Sequence, residues 1–542
     1  MQALNRVVSA DVRQPLAEAN STSVRCGQKL ANDGVSLTVR PGEVVALLGE
    51  NGAGKSTLLH SLYGLVKTCA GEIRYGGQPV QPTPERAIAA GLGLIHQHFL
   101  LVPTLTVAEN IVLGQEPRRF GLLVDGKRAV AEVAALSERH GLAVLPQRLT
   151  SELSVGEAQR VEILKALYRG ARLLLLDEPT AVLTPGEAAR LLTTLRRLLD
   201  DEAMPGRAQG QSAGRALLIV THKLDEVLQI ADRAVVMRAG RVVEEFQRAD
   251  FSATAMARAM VGREVHAVTR ALRPEPTTAS ESVPVLHVQD LVVEREGSEW
   301  VRGVSLAVPA GQIVGLAGVA GNGQSELVAA IAGLLPSKAG RIRLGSDDLT
   351  RTDVRTRSQA GLAVVPEDRQ KHGLVLDMTL EENLLLGHEV QLSHGPARQL
   401  LDWSRIRTVA ESVLTKADVR PADATAVARA LSGGNQQKVV LARVLSIADQ
   451  LPRVLIAAQL TRGVDIGAIE SIHRTLLFTR DAGCAILLVS AELSELQSLC
   501  DRILVMYRGQ IVASLDNDPR SPVSREQLGE LMAGVGTTVA AH

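Results

Sequence analysis

Continuous apolar runs recur along the chain, and they predict strands that are buried on both faces. One such run is Glu43–Leu48, and a similar run in the second half is Gln312–Ala317. Two more are LLLLD at 173–177 and ALLIVTH at 216–222. Runs without polar alternation are typical of parallel strands covered by helices on each side. Because these strands alternate with helical patterns, the predicted fold class is α/β with a mostly parallel sheet.

In each half, β-rich runs and helical stretches accompany the buried strands. Each half opens with short β-rich runs, which predict a small β-rich N-terminal part. The stretches between Gln97 and Leu153, and between Glu367 and Leu431, show mainly helical patterns. They predict a helical subdomain in each half.

The chain contains an internal repeat. VSLTVRPGEVVALLGENGAGKSTLLHSLYGL from Val35 matches VSLAVPAGQIVGLAGVAGNGQSELVAAIAGL from Val304. At the same spacing, DRAVVMRAGRVV from Asp232 matches DRILVMYRGQIV from Asp501. A repeat of this length predicts two homologous domains rather than one.

The repeat also predicts where each domain begins and ends. The first domain spans 12–262 and the second 285–537. Between them, 263–284 is rich in Pro, Ser and Thr, which favours an exposed linker. The repeat spacing drifts within the domains, and a polar insertion around 200–215 accounts for the drift.

Composition narrows the function classes. The 542 residues include 59 basic and 59 acidic side chains, and this balance argues against a nucleic-acid partner. No apolar run reaches about 18 residues, and no secretory signal is visible at the start. The four cysteines form no CxxC pair, which favours a protein with reduced thiols in the cytosol.

GENGAGKS at 49–56 fits the phosphate-binding pattern G-x-x-x-x-G-K-[ST] directly after a predicted strand. Its glycines let backbone N–H groups point at phosphate oxygens, and the helix start adds partial positive charge. Lys55 is expected to neutralise the β- and γ-phosphates, and Ser56 to ligate Mg²⁺. The predicted ATP-binding residues here are Gly49, Glu50, Asn51, Gly52, Ala53, Gly54, Lys55, Ser56 and Thr57.

Four side chains complete the predicted chemistry of the first copy. Asp177 ends an apolar strand and is expected to hold the Mg²⁺ shell through water, while Glu178 polarises the attacking water. His222 is expected to contact the γ-phosphate, and Gln97 to ligate Mg²⁺ and to sense the γ-phosphate and the attacking water. Taken singly, each also fits an ordinary structural role at a strand end or in a loop.

LSVGE at 153–157 and LSGGN at 431–435 each precede a helical run, so their Ser and Gly groups form another anion-binding helix start. The first copy carries the phosphate loop, Gln97, LSVGE, LLLLDEPT and His222 in that order, and this combination of motifs is highly specific. Over both halves, the chain resembles the ATP-binding subunit of an ABC transporter with two tandem P-loop NTPase domains.

The resemblance carries further expectations. IHQHFLLVPTLTVAENIVLG (95–114), VPEDRQKHGLVLDMTLEENLLLG (365–387) and QLTRGVDIGAIESIH (459–473) look most like purine-nucleoside importers. The resemblance implies ATP and Mg²⁺ as cofactors, and integral-membrane permease subunits and an extracytoplasmic solute-binding lipoprotein as partners. It implies a peripheral position on the cytoplasmic face of the inner membrane.

The second copy has lost the same chemical groups. Relative to the first copy, the loop lysine becomes Gln324 and the two strand-end acids become Ala458 and Gln459. Glu367 replaces Gln97, and Ala491 replaces His222. These replacements remove the cation, the Mg²⁺ carboxylate and the base, so hydrolysis is not expected there.

ABC domains are similar in pairing head-to-tail, each ATP lying between one phosphate loop and the other copy's LSGG stretch. The resemblance therefore implies that Ser432, Gly433 and Gly434 complete the intact site. The degenerate loop then faces LSVGE, where Val155 departs from the usual glycine. One competent composite site is the resulting hypothesis.

Alternatives remain at this point. The solute is expected to be a nucleoside, with a ribose-like sugar as the alternative. A tandem ABC ATPase acting on ribosomes is disfavoured, because such proteins usually keep both sites and have a charged helical linker. Cys26 stands where the family usually has an adenine-stacking aromatic ring, which puts base selectivity in question.

Overall fold

The computed structural model describes residues 14–27, 29–96, 100–120, 123–180, 183, 185–200, 214–263, 284–319, 321–389, 393–394, 400–446 and 451–534. The chain divides into two compact units, Met1–Val265 and His266–His542. The predicted domain bounds stay predictions. Nearly all of the predicted linker at 263–284 and of the insertion at 200–215 lies outside the described residues.

In the described part of the first unit, the strands are β1 Ala17–Cys26, β2 Lys29–Val39, β3 Val44–Leu48, β4 Ala70–Tyr75, β5 Gln78–Val80, β6 Leu92–Ile95, β7 Arg118–Arg119, β8 Leu123–Val124, β9 Leu173–Asp177, β10 Ala216–Val220, β11 Arg233–Arg238 and β12 Arg241–Gln247. The α-helices there are α1 Lys55–Tyr63, α2 Pro84–Ala89, α3 Val107–Val112, α4 Gly126–His140, α5 Val155–Tyr168, α6 Pro185–Asp200, α7 Leu224–Ile230 and α8 Ala253–Val261.

The described strands of the second unit are β13 Pro284–Arg295, β14 Ser298–Pro309, β15 Ile313–Ala317, β16 Ala339–Leu344, β17 Asp347–Asp348, β18 Leu362–Val365, β19 Ser393–His394, β20 Leu400–Leu401, β21 Val454–Ala458, β22 Ala485–Ser490, β23 Arg502–Tyr507 and β24 Gln510–Asp516. Its α-helices are α9 Gln324–Ala332, α10 Val354–Gln359, α11 Leu380–Leu385, α12 Trp403–Lys416, α13 Gly433–Ser446, α14 Ile466–Asp481, α15 Leu493–Leu499 and α16 Arg525–Met532.

A six-stranded sheet in the order β12-β11-β3-β10-β9-β6 forms the core of the first unit. Strand β3 runs parallel to both β10 and β11, and β9 runs parallel to β10 and β6. Every residue of β3, β9 and β10 is buried, as expected for strands with continuous apolar sequence. The predicted α/β fold with a mostly parallel sheet is therefore confirmed.

The second unit repeats this topology, with its core strands in the order β24-β23-β15-β22-β21-β18. Each unit also has a four-stranded antiparallel sheet, β2-β1-β4-β5 in the first and β14-β13-β16-β17 in the second. This β-rich part is not wholly N-terminal, since β4 and β5 come after α1.

Two smaller differences from the sequence predictions concern strand ends and hairpins. The strand predicted at 216–222 ends at Val220, and Thr221 and His222 follow it with their side chains paired to the polar groups of Glu226 and Glu178. The helical stretch after residue 97 also contains the short hairpin β7-β8. Among the described residues, no helix is long and apolar enough to span a bilayer.

Candidate active site

The phosphate-loop pattern connects β3 to α1, as the sequence predicts. Gly52 and Gly54 have φ angles of +82° and +97°, a region that disfavours side chains. A Cβ at Gly54 would collide with the Ala31 carbonyl oxygen and the Asn32 side chain. Glycine at residue 54 is therefore required by the close approach of the loop to β2.

Lys55 begins α1 and is only 5% exposed. Its Nζ donates hydrogen bonds to the carbonyl oxygens of Gly49 (2.8 Å) and Glu50 (3.0 Å). The ammonium is thus held by oxygen acceptors at the start of the loop. Phosphate oxygens are acceptors of the same kind, so this placement suits a lysine that binds a triphosphate.

Ser56 and Asp177 bring a hydroxyl and a carboxylate together. Ser56 Oγ donates to Asp177 Oδ1 over 3.0 Å, although the two residues are 121 positions apart. Asp177 is 5% exposed, and burial raises its pKa although the Ser56 hydrogen bond opposes this. Mg²⁺ prefers oxygen ligands and usually needs only one or two carboxylates, so this pair fits a magnesium ion.

Glu178 and His222 form the second close pair. His222 Nδ1 lies 2.9 Å from Glu178 Oε1, and a carboxylate only accepts, so Nδ1 carries the proton. Burial alone would raise the pKa of the Glu178 carboxyl. The hydrogen bond and charge of His222, with the charges of Lys55 and Lys223, outweigh burial and lower that pKa. Glu178 is therefore ionised at neutral pH, as a general base must be.

His60 is a neighbour of this site that the sequence prediction missed. Its Nε2 lies 3.9 Å from Asp177 Oδ2, and its ring centroid is 5.7 Å from that of His96. His60 follows Ser56 by four residues in α1, so both side chains lie on the same helix face. That spacing is the signal by which the sequence could have indicated it.

Comparison with known proteins decides the family. The sequence profile of the family described as ABC transporter matches residues 32–181 and 301–456, one match in each unit. This chain belongs to the ABC transporter family. The double match agrees with the internal repeat, and it covers the phosphate loop and the strand-end acids of the first ABC domain.

Individual ABC proteins are similar over nearly the whole chain. The guanosine import ATP-binding protein NupO of Bacillus subtilis is 44% identical over 93% of this chain and 94% of its own. The nucleoside import ATP-binding protein NupA of Lactococcus lactis is 42% identical, covering 94% and 96%. The ribose import ATP-binding protein RbsA of Yersinia pestis is 36% identical, covering 96% and 97%.

The remaining predicted residues of the ABC site are described only in part. Gln97 lies outside the described residues. Ser432 directly precedes α13, which begins at Gly433, and its Oγ accepts from the backbone N–H and side-chain amide of Asn435. A Cβ on Gly434 would crowd Asp465. The predicted helix start is therefore present within the second ABC domain.

The loop of the second ABC domain that corresponds to the phosphate loop leads into a helix in the same way, but it lacks the lysine. Gln324 begins α9 where Lys55 begins α1. Ser325 Oγ donates to Glu367 Oε2 over 2.7 Å, and Arg462 Nη1 lies 3.5 Å from Glu367 Oε1. The loop serine is thus paired with a carboxylate of the same unit, next to an arginine that the sequence prediction did not single out.

Cys26 is exposed and is the last residue of β1, where the strand turns back into β2. Its counterpart in the second ABC domain is Arg295, the last residue of β13. Neither residue offers an aromatic ring for a base.

Proposed function

We propose that this chain is the ATP-hydrolysing subunit of an ABC importer with one competent site. The observation that carries the proposal is the Glu178–His222 pair, held 2.9 Å apart beside the lysine-bearing phosphate loop. In the second unit, the equivalent positions hold Gln459 and Ala491, which provide neither a base nor an imidazole.

In the proposed reaction, Lys55 and the loop amides bind the triphosphate and neutralise its charge. Ser56 and Asp177 would hold Mg²⁺, Asp177 through water, and the bound ion would neutralise further charge on the phosphate oxygens. The ionised Glu178 accepts a proton from the attacking water as the water oxygen bonds to the γ-phosphorus and the bond to the leaving ADP oxygen breaks. His222 orients that carboxylate by its hydrogen bond. Gln97 is proposed to sense the γ-phosphate and the ion.

The second unit is proposed to complete this site through Ser432, Gly433 and Gly434. The proposal rests on the head-to-tail pairing of ABC domains and on the intact LSGGN sequence in a unit that lacks its own catalytic groups. Binding of ATP would then draw the units together, and hydrolysis would release them to drive a partner's conformational change.

The proposed solute is a nucleoside, because the similar proteins NupO and NupA are named for guanosine and nucleoside import. A ribose-like sugar is the second candidate, because RbsA is named for ribose import. The proposed partners are integral-membrane permease subunits and an extracytoplasmic solute-binding lipoprotein. The chain is then peripheral, on the cytoplasmic face of the inner membrane.

The single-site proposal is tested by Glu178→Gln in the full-length chain. We expect kcat for ATP hydrolysis to fall by about 10²–10³-fold while ATP binding persists, because only the base is lost. Gln459→Ala is the matched control in the second unit and should leave kcat near that of the parent chain. Substantial turnover by Glu178→Gln would contradict the proposal.

A further inference from the structure

A buried carboxylate connects the two strand ends that carry the proposed catalytic pair. Glu226, in the first turn of α7, is 7% exposed. Its Oε1 accepts a hydrogen bond from Thr180 Oγ1, and its Oε2 accepts one of 2.9 Å from Thr221 Oγ1. Thr180 lies two residues after Glu178, and Thr221 directly precedes His222.

The two threonines are almost completely buried, at 1% and 2% exposure, so solvent does not compete for their hydroxyls. Each hydroxyl donates to a different oxygen of the same buried carboxylate. Lys223 Nζ lies 3.8 Å from the same group and partly balances its charge. A charge-assisted bridge of this kind holds its partners more tightly than neutral hydrogen bonds do.

We infer that Glu226 is a positioning residue, which fixes Glu178 and His222 relative to each other by bridging Thr180 and Thr221. The inference rests on the proposed function, since it assigns Glu226 a role only through that pair. None of the described hydrogen bonds joins Glu226 directly to Glu178 or His222, so its effect passes through the two threonines. Misplacing a catalytic group by about 1 Å can cost about 10²-fold in rate, so such a bridge has kinetic consequences.

The second unit provides an internal contrast. Glu495 occupies the same third position of its helix, α15, and is 3% exposed. Its Oε1 lies 3.1 Å from His473 Nε2 of α14, and its Oε2 has no hydrogen-bond partner among the described residues. The second unit, which lacks the catalytic pair, therefore keeps a buried glutamate at this position. Among its described residues, that glutamate does not bridge two hydroxyls.

The test compares Glu226→Gln with Glu495→Gln in the full-length chain, measuring kcat, KM for ATP and thermal stability. Both changes neutralise a buried carboxylate, so both should lower stability. We expect only Glu226→Gln to reduce kcat, by about tenfold or more, with KM within about twofold of the parent value. Equal effects of the two variants on kcat would overturn the inference.

Substitution of Thr221 tests the bridge without removing the carboxylate, and it decides the matter if Glu226→Gln does not fold. Thr221→Ser keeps the hydroxyl and should retain the parent kcat. Thr221→Val keeps the shape of the side chain but removes the hydroxyl, so its kcat should fall. Equal rates for the two would also overturn the inference.

The same variants separate failure of the inference from failure of the proposed function. If Glu178→Gln is inactive and Glu226→Gln is fully active, only the inference fails. If Glu178→Gln is active, the proposed function fails.

Discussion

Glu178 and Gln459 adopt the same left-handed backbone conformation, with φ angles of 47° and 49°. Each donates its backbone N–H across the core sheet, Glu178 to Val220 O over 3.0 Å and Gln459 to Val489 O over 2.8 Å. A non-glycine residue in this region costs about 1–2 kcal/mol, so the surrounding structure must enforce it. The second unit has therefore kept the backbone of the site while changing its side chains.

This shared conformation makes Gln459→Glu a mild change that should not create a second active site. We expect the fold to tolerate the glutamate, because the backbone is already suited to one. Gln324 and Ala491 still provide neither the loop cation nor the imidazole. ATPase measured in a Glu178→Gln, Gln459→Glu double variant should stay at the level of Glu178→Gln alone. Recovery of turnover would contradict this prediction.

The pH dependence of hydrolysis should follow the Glu178 carboxyl. Since His222 contributes to lowering that pKa, His222→Ala should let burial dominate and raise it. The carboxylate then protonates at higher pH, so the acid limb of the kcat profile should move upward. We expect kcat near neutral pH to fall by about 10²-fold. His473→Ala, in the second unit, should leave the profile unchanged, and an unshifted limb in His222→Ala would refute the assignment of Glu178 as base.

Two loop glycines should differ in their tolerance of alanine. Gly52 and Gly54 both have positive φ, but an added Cβ at Gly52 would meet nothing within 4 Å. We expect Gly52→Ala to cost about 1 kcal/mol, and Gly54→Ala about 3 kcal/mol because backbone at Ala31 blocks the new atom. Denaturant unfolding and ATP binding of the two variants would measure this, and equal costs would contradict it.

An aromatic ring at the end of β1 should improve adenine binding. Cys26 is exposed, so tyrosine can be placed there without disturbing the core. Stacking of a base on an aromatic side chain contributes about 1–3 kcal/mol, so Cys26→Tyr should lower KM for ATP by about tenfold. Arg295→Tyr is the matched change in the second unit and should have little effect. An unchanged KM in Cys26→Tyr would show that the base lies elsewhere.

The sequence predicted the core strands and the loop because both depend on local pattern. Val44–Leu48 is apolar at every position, and the glycine spacing of the loop follows directly from steric need. The side-chain pairing of His222 with Glu178 was not predicted, because it depends on where two distant strands end. Glu226 was missed for another reason: in sequence, a glutamate early in a helix indicates an ordinary exposed charge.

The β7-β8 hairpin was missed because its strands have only two residues each, too short for alternation to be visible. The completion of the site by Ser432, Gly433 and Gly434 stays a prediction. It depends on how two separate units meet, which local sequence pattern does not specify.

Asp177, Glu178 and His222 lie where core strands end, as do the residues that replace them in the second unit, and the strand order beneath them is the same in both units. A change such as Glu178→Gln should therefore leave the fold intact, and with it the proposed assembly with permease subunits. Under the proposed function, such a subunit, co-expressed with the parent chain, would occupy transporter complexes without powering them. Uptake should then fall as the share of the inactive subunit rises, because the two forms compete for the same partners.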